Sequence, residues 1–206
     1  MNMAYRLSQN DIDRAVAFHG HMCPGLTLGL RAAEWALDNI GCANDEEIVA
    51  ITETDMCAVD AIQALVGCTF GKGNLIYRDL GKIAFSFYRR SDGKSARLVS
   101  AASMIGGEKD DLRRRLESKK RSGIELSPEE KALCEALRKE NIEPLLTMPF
   151  EQIYTVKETT WPIPSRARLM RTLICADCGE GVMESRVRLL NEKFYCKDCF
   201  RKHDDR

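Results

Sequence analysis

The chain has 206 residues, and its 31 basic and 31 acidic side chains leave no formal net charge. This length gives room for one large domain or for a domain with an appendage, and 44% apolar residues suffice for a buried core. The composition excludes disordered and collagen-like classes. The lack of a positive excess argues against a dedicated nucleic-acid-binding protein.

The sequence also indicates where in the cell the protein resides. Met1–Arg14 is polar and lacks the apolar core of a signal peptide, and no apolar run approaches the roughly 18 residues of a membrane helix. We therefore expect a cytoplasmic protein that has no contact with membranes. Thiols stay reduced in that compartment, so the nine cysteines indicate metal binding or catalysis before disulfides.

The first hundred residues alternate between helical and strand patterns. Ser8 is a helix cap, and glycines at 20, 41 and 67 are typical of helix ends. The polar–apolar alternation of KIAFSFYR predicts a strand that returns through the turn at Ser91–Lys94. The predicted elements are helices from Ser8 to Gly20, Leu26 to Ile40 and Cys57 to Val66, and strands Glu47–Glu53, Lys82–Arg89 and Ser95–Ser100. This mixture predicts an α+β core.

The second half begins with a charged helical hairpin from Glu108 to Asn141, within which Ser127-Pro128-Glu-Glu130 predicts a helix start capped by Ser127, and continues into a strand at Glu151–Lys157. Two prolines in Trp161–Pro164 then predict a stiff, extended linker. We place the core domain at 1–160, the linker at 161–171 and a small C-terminal domain at 172–206.

Four cysteines near the C-terminus form two Cys-x-x-Cys pairs that are separated by 17 residues. Each pair lets one tight turn aim two sulfur atoms at one ion, and a hairpin-length gap brings the pairs together. Between the pairs, the pattern predicts two strands, Val182–Leu190 and Lys193–Tyr195, joined by a turn at Asn191–Glu192. The sequence therefore predicts a treble-clef zinc finger whose structural zinc is held by Cys175, Cys178, Cys196 and Cys199. Two disulfides, a redox dithiol or iron are the alternatives, and zinc is favoured over them.

The predicted finger is electrically balanced. From Thr172 onward it carries seven basic and seven acidic residues, whereas nucleic-acid-binding modules usually carry a basic excess. Arg166, Arg168 and Arg171 in the linker add positive charge. We expect the finger to contact a partner protein or to cover the core rather than to bind nucleic acid.

A second candidate metal site lies at the first predicted helix end, in the run His19-Gly-His21-Met-Cys23-Pro-Gly. In an extended segment these three alternating side chains point to one side, and in a last helical turn His19 and Cys23 meet at i, i+4. Imidazole and thiolate suit Zn, Fe, Cu or Ni. A cysteine before a helix and beside histidine is also typical of a reactive thiol. The alternative is a surface histidine pair and a buried cysteine.

Three further residues are candidates for catalysis. Cys57 and Asp60 follow a predicted strand and share one helix face, so Cys57 is a candidate nucleophile or further ligand. An ordinary core cysteine and helix-start aspartate are equally consistent with the pattern. Lys72 lies in a glycine-rich loop that is not a P-loop, where it could meet an anion or simply belong to a turn.

These residues occur in strings that resemble a known family. FHGHMCPGLTLGLRAA, TDMCAVDAIQALVGCTFGKGNL and DLGKIAFSF resemble the FmdE family, which takes its name from one of the subunits of formylmethanofuran dehydrogenase, and the tail resembles a TraR/DksA-type finger. The resemblance implies an α+β core, homodimers and a metal-bearing cleft. It points to His19, His21, Cys23 and Cys57, with Asp60, Lys72 and Asn74 nearby.

Three functions follow from the sequence, in order of preference. The first is an accessory metal-binding protein of one-carbon or molybdenum and tungsten enzyme metabolism, related to methanogenesis, with zinc in the finger and a second transition metal in the core. The second is a metal- or cysteine-dependent enzyme that uses the core cleft. The third is a regulator or interaction module whose finger contacts nucleic acid or a polymerase, and the balanced charge of the finger weakens the nucleic-acid version. No molybdopterin or iron–sulfur signature is present, so the chain is not the catalytic oxidoreductase itself.

Overall fold

The computed structural model describes residues 7–101 and 108–203. The chain divides into two compact units between Arg166 and Ala167. Residues 1–6 and 204–206, which the predicted domains include, lie outside the described residues. The domain boundaries given above stay predictions.

The first unit contains six α-helices and five strands among its described residues, and a π-helical turn, Ile62–Val66, continues the third helix. Its helices are α1 (Gln9–His19), α2 (Pro24–Asn39), α3 (Ala58–Ala61), α4 (Glu108–Arg121), α5 (Pro128–Thr147) and α6 (Phe150–Ile153). Its strands are β1 (Ile48–Thr52), β2 (Leu75–Tyr77), β3 (Ala84–Arg89), β4 (Ser95–Ser100) and β5 (Tyr154–Lys157). The α+β prediction for the core is confirmed.

The five strands form one mixed sheet in the order β2-β1-β3-β4-β5. Only the β1–β2 pair is parallel, with Ala50 opposite Leu75. Alternate residues of β1 pack on opposite faces: Ile48 and Ala50 join the main core with the helices, whereas Val49 and Ile51 pack with Tyr88 on the other face. Strand β1 is therefore buried on both sides, and it gives α3, which follows it in the chain, a rigid attachment.

Capping boxes explain where α1 and α5 begin. Ser8 caps α1 in a capping box with Asp11, and Gly20 ends the helix in the left-handed conformation at φ 93°. Ser127 caps α5 in the same way with Glu130, and Pro128 occupies the first turn. These capping signals were correctly predicted from the sequence.

Helix α5 is attached to α2 by a buried arginine. Arg31 Nη1 donates to the carbonyl oxygens of Leu145, Leu146 and Met148 at 2.9–3.1 Å, and Arg31 also pairs with Glu34 at 3.1 Å. The last carbonyls of a helix lack intrahelical partners, so a cation there stabilises the helix end.

The segment that was predicted as a linker contacts the outer face of the sheet. Trp161 packs on Val49, Ile51 and Tyr88, and its carbonyl oxygen accepts a hydrogen bond from Tyr88 Oη at 3.0 Å. Arg90 Nη1 donates to the Pro164 carbonyl at 2.5 Å. This segment therefore belongs to the packing of the first unit up to Pro164.

Several predicted element boundaries differ from the structure. Helix α2 begins at Pro24 rather than Leu26, because proline suits the first helical position. The predicted strand from Glu151 is a short helix, α6, before β5 begins at Tyr154. The three-residue strand β2, which follows the glycine-rich loop, was not predicted.

The second unit consists of two hairpins and a short helix. Its elements are β6 (Thr172–Ile174), β7 (Gly181–Met183), β8 (Arg188–Leu190), β9 (Lys193–Tyr195) and α7 (Lys197–Arg201). Strand β6, and the break of the predicted long strand into β7 and β8 around a 3-10 turn at Glu184–Arg186, were not predicted. The predicted turn at Asn191–Glu192 is confirmed, and both residues have positive φ.

Within the described ranges, no helix combines the length and apolar character that crossing a lipid bilayer would require. The cytoplasmic location stays an expectation.

Candidate metal centres

Three metal-ligating side chains converge in the first unit. His19 ends α1, Cys23 is the N-cap of α2, and Cys57 directly precedes α3. One ligand atom from each lies within 4.8 Å of the others, and Cys23 Sγ is 3.8 Å from His19 Nε2. We call these three residues the core site.

Asp60 fixes the histidine of the core site from behind. Its Oδ2 lies 2.6 Å from His19 Nδ1, and the His19 side chain is only 11% exposed. A carboxylate accepts hydrogen bonds, so Nδ1 carries the proton and the lone pair of Nε2 faces the two sulfur atoms. This is the carboxylate–histidine arrangement that supports metal ligands in proteins.

The two thiols of the core site have different surroundings. Cys23 Sγ accepts a hydrogen bond from the Leu26 backbone N–H at 3.3 Å, at the positive end of a 16-residue helix. Burial raises the pKa of the Cys57 thiol to about 11, and the nearby Cys23 and Asp60 add to the rise. Cys57 is therefore protonated at neutral pH until a metal displaces its proton.

Two glycines of α2 let the core site close. A Cβ on Gly25 would lie 3.0 Å from Cys57 Cβ, 3.5 Å from Cys57 Sγ and 3.8 Å from Cys23 Sγ. A Cβ on Gly29 would overlap the Ala58 carbonyl oxygen and lie 2.7 Å from Ala58 Cα. The missing side chains allow α2 and α3 to approach until the two cysteines meet.

The four predicted finger cysteines also converge. The Sγ atoms of Cys175, Cys178, Cys196 and Cys199 lie within 4.8 Å of one another. Sulfur atoms around zinc, at about 2.3 Å from the ion in a tetrahedron, need a separation of this order. Backbone N–H groups of Cys196 and Cys199 donate to the sulfurs of Cys175 and Cys196, both at 3.3 Å.

Hydrogen bonds and burial act on Cys175 and Cys199 in opposite directions. The Cys196 backbone N–H lowers the pKa of Cys175 to about 6, whereas the neighbouring Cys196 thiol and burial raise the pKa of Cys199 to about 12. The lowered pKa of Cys175 favours the thiolate form that binds a cation. Four sulfur ligands leave no open position, which is the composition of a structural zinc site.

The remaining predicted site residues lie outside the three-residue cluster. His21 is exposed, with its ring centroid 4.7 Å from that of His19. Lys72 follows the π-helical turn, whereas Cys57 lies before α3 at the other end of this helical segment. The charge of Lys72 partly offsets the rise that burial causes in the pKa of the Cys68 thiol. The structure thus brings His19, Cys23, Cys57 and Asp60 together and does not bring Lys72 to them.

Comparison with known proteins gives the family. Residues 18–155 match the family described as FmdE, Molybdenum formylmethanofuran dehydrogenase operon. The chain belongs to the FmdE family. Residues 171–205 match the prokaryotic dksA/traR C4-type zinc finger, so family and geometry agree on a structural zinc site in the tail. The resemblance inferred from the sequence is confirmed for both parts.

Two relatives place this FmdE-family chain among known proteins. A probable S-adenosyl-L-methionine-binding protein of Archaeoglobus fulgidus is 33% identical over 181 residues, which cover 85% of this chain and 49% of the relative. The chain thus spans about half the length of that relative. The crystal structure of a tungsten formylmethanofuran dehydrogenase FmdE-like protein from Syntrophus aciditrophicus has a TM-score of 0.59 at 22% identity, covering 96% of this chain and 94% of that one. This similarity confirms the fold.

Gly25 and Gly29 are the residues of the FmdE-family core site that sequence reasoning missed. They lie four residues apart on one face of α2, directly after Cys23. That spacing was visible in the sequence and is a signal for close backbone approach. Its partner, the start of α3 at Ala58, is visible only in the structure.

Proposed function

We propose that this FmdE-family protein is an accessory metal-binding protein that holds a transition-metal ion on His19, Cys23 and Cys57. The observation that carries the proposal is the orientation of His19: Asp60 holds Nδ1, and Nε2 faces two thiols. One imidazole and two thiolates suit Zn, Fe, Cu or Ni rather than Mg or Ca.

Each side chain of the core site has a defined task in this proposal. Asp60 selects the tautomer of His19 and fixes its ring, and the Leu26 N–H stabilises the Cys23 thiolate. Cys57 releases a proton on ligation. A metal ion held by three protein ligands supplies Lewis acidity at its remaining position.

The partner in this proposal is a molybdenum or tungsten enzyme such as formylmethanofuran dehydrogenase. The family description and the name of the Syntrophus protein support this association. The finger, closed by four sulfurs and balanced in charge, suits contact with a partner protein. A homodimer and a link to methanogenesis belong to the same proposal.

Metal content per chain tests the core site. Protein purified without added metal should contain two ions per chain, one for each cluster. Cys57→Ser should lower this number to one, and Cys178→Ser should lower it to one by emptying the other site. Cys134→Ser, a half-buried cysteine outside both clusters, is the matched control and should keep two ions.

The outcome that contradicts the proposal is one ion in the parent that survives Cys57→Ser and disappears in Cys178→Ser. Cadmium NMR of the loaded parent adds an independent readout, because a site with two sulfurs and a nitrogen and a site with four sulfurs give separate resonances. A single four-sulfur resonance would have the same meaning.

The association with a partner enzyme needs its own experiment. Purified formylmethanofuran dehydrogenase, mixed with the full chain, should form a complex that survives gel filtration. Cys57→Ser should lower any activation of that enzyme without preventing the complex. Absence of both complex and activation would reject this partner while leaving the metal site standing.

A second candidate function is a cysteine-dependent enzyme in the metal-free state. Cys23, His19 and Asp60 lie in the order of nucleophile, base and orienting acid, with separations of 3.8 and 2.6 Å. With the finger metal in place and the core site empty, iodoacetamide should then alkylate Cys23 before Cys42, Cys57, Cys68 and Cys134, and His19→Gln should abolish that preference. Equal alkylation rates in parent and variant would reject this function.

The name of the Archaeoglobus relative raises S-adenosyl-L-methionine binding as a property to test on this chain. Isothermal titration of the full chain with S-adenosyl-L-methionine distinguishes two cases. Binding would assign that property to the shared half of the relative, and no binding would assign it to the half outside the match.

A further inference from the structure

Gln63 connects the core site to the glycine-rich loop that follows α3. Its side-chain Nε2 donates to Asp60 Oδ1 at 3.4 Å, while Asp60 Oδ2 is taken by His19. Its side-chain Oε1 accepts the backbone N–H of Phe70, also at 3.4 Å. Both oxygens of Asp60 are therefore held, one by the histidine and one by the glutamine.

The chemistry at both ends suits the amide of Gln63. A carboxylate oxygen only accepts and a peptide N–H only donates, so the group between them must donate at one end and accept at the other. Glutamine does both, and this arrangement also fixes which end of its amide is nitrogen. Glutamate could hold Phe70 but would face Asp60 with a second negative charge, and leucine could hold neither.

The backbone around Gln63 departs from the α-helix at this point. Gln63 lies in the π-helical turn Ile62–Val66, and isolated π turns inside helices occur often at functional sites. Within this turn the Ala64 carbonyl oxygen accepts a hydrogen bond from Arg14 Nη2 at 2.8 Å. Arg14 lies on α1, so the turn also fastens the helix that ends in His19.

The far end of the connection is anchored in the sheet. Asn74 is completely buried; its Oδ1 accepts the Thr69 N–H at 2.9 Å, and its Nδ2 donates to the carbonyls of Asp45 and Ile48 at 3.0 Å. These bonds fix the loop segment next to Phe70. A continuous chain of hydrogen bonds and backbone thus runs from the start of β1 to the ring of His19.

We propose that Gln63 is a positioning residue of the core site, which orients Asp60 and, through Asp60, the metal-binding nitrogen of His19. The inference rests on the proposed function for its effect on metal affinity. Its effect on His19 itself is independent of any metal.

Two substitutions test the two hydrogen bonds of the Gln63 amide separately. Gln63→Leu removes both hydrogen bonds at similar side-chain size, and Gln63→Glu keeps the acceptor for Phe70 but removes the donor to Asp60. Gln152→Leu, on the exposed side of α6, is the matched control. We expect both Gln63 variants to bind cadmium or zinc at the core site roughly tenfold more weakly, the lower end of outer-shell effects. Gln152→Leu should bind as the parent does.

Nitrogen-15 NMR of the histidine rings supplies the readout that a merely structural role would not move. The chain has three histidines, so the His19 ring can be assigned with His21→Gln and His203→Gln variants. In the metal-free parent His19 should carry its proton on Nδ1. In both Gln63 variants this signal should shift towards a mixture of tautomers, with circular dichroism unchanged.

The possible outcomes distinguish a failure of the inference from a failure of the proposed function. If the parent binds metal at the core site and both Gln63 variants match it in affinity and in the His19 signal, the inference is overturned and the function stands. If the parent binds no metal there, the function fails and the NMR comparison alone decides: a His19 shift in both Gln63 variants but not in Gln152→Leu supports the inference, and its absence overturns it. If Gln63→Leu does not fold, Gln63→Glu decides by the same two measurements.

Discussion

Replacing Gly29 with alanine should damage the core site from a position that touches no ligand. The new Cβ would overlap the Ala58 carbonyl oxygen and lie 2.7 and 2.8 Å from the Ala58 Cα and carbonyl carbon. Carbon atoms pack at about 3.5–4.0 Å, so the backbones of α2 and α3 would have to separate by about 1 Å. No flexible side chain is available to absorb the change, because every atom concerned belongs to the backbone.

This displacement has two measurable consequences. Overpacking of this kind costs about 1–3 kcal/mol, and a backbone clash belongs at the upper end, so the first unit should melt about 6–12 °C lower. Helix α2 carries Cys23 and α3 follows Cys57, whereas metal ligands tolerate displacements of only about 0.2 Å. Metal affinity at the core site should therefore fall at least about tenfold, the effect of losing an outer-shell contact.

Differential scanning calorimetry and competition with a chromophoric chelator measure these two effects. Gly71→Ala is the matched control: a Cβ there meets no atom within 4 Å, and its backbone conformation admits alanine. Gly25→Ala should fall between the two, because its Cβ meets the cysteine side chains of the site rather than backbone. If Gly29→Ala has the same melting temperature and the same metal affinity as Gly71→Ala, close packing of α2 on α3 does not hold the core site together.

Three further predictions follow from single contacts. Asp60→Asn should weaken metal binding at the core site about 10- to 100-fold and leave the finger metal in place, as chelator competition would show. Core-site affinity should rise with pH between 6 and 8, because the raised pKa of Cys57 leaves the metal-free thiol protonated and each binding event must release that proton; a pH-independent affinity measured by the same competition would contradict this. Arg31→Met should lower the free energy of unfolding by about 3 kcal/mol in urea titrations, because buried Glu34 loses an ion pair and the carbonyl oxygens at the end of α5 lose their donor, and Arg31→Met with Glu34→Leu should recover part of that loss.

The parts of the fold that were predictable from the sequence are those encoded by neighbouring residues. Ser8 and Ser127 begin helices because their own side chains cap the helix, and strand β4 lies at Ser95–Ser100 as predicted. The four finger cysteines converge because two short turns and a hairpin suffice to bring them together. None of these features requires knowledge of distant packing.

The features that escaped prediction depend on contacts between distant segments. Strand β2 is only three residues long, and it exists because Leu75 pairs with Ala50 in parallel, which no local pattern reveals. The π-helical turn at Ile62–Val66 leaves the apolar pattern of the segment unchanged. The pairing of Asp60 with His19 joins residues 41 positions apart.

The run from His19 to Cys23 adopts a backbone conformation that differs from both of those expected from its sequence. An extended segment would have put His19, His21 and Cys23 on one side, whereas a helix end brings only His19 and Cys23 together. The structure ends α1 at His19 and makes Cys23 the extended cap of α2, so neither geometry is found: His19 and Cys23 meet although no helical turn joins them, and His21 is left exposed. The glycine at position 20 allows this, because its left-handed conformation turns the chain between the two helices.

The two clusters therefore depend on folding in different ways. The finger cysteines lie within 25 residues of chain and four short strands, with a small core, so metal binding must supply much of their folding free energy. The core site draws its ligands from α1, α2 and α3 on a five-stranded sheet, so we expect its geometry to depend little on a bound ion. A chelator should thus unfold the second unit while the first keeps its melting transition. Such stability would let the first unit release and rebind an ion without unfolding, as the proposed accessory function requires.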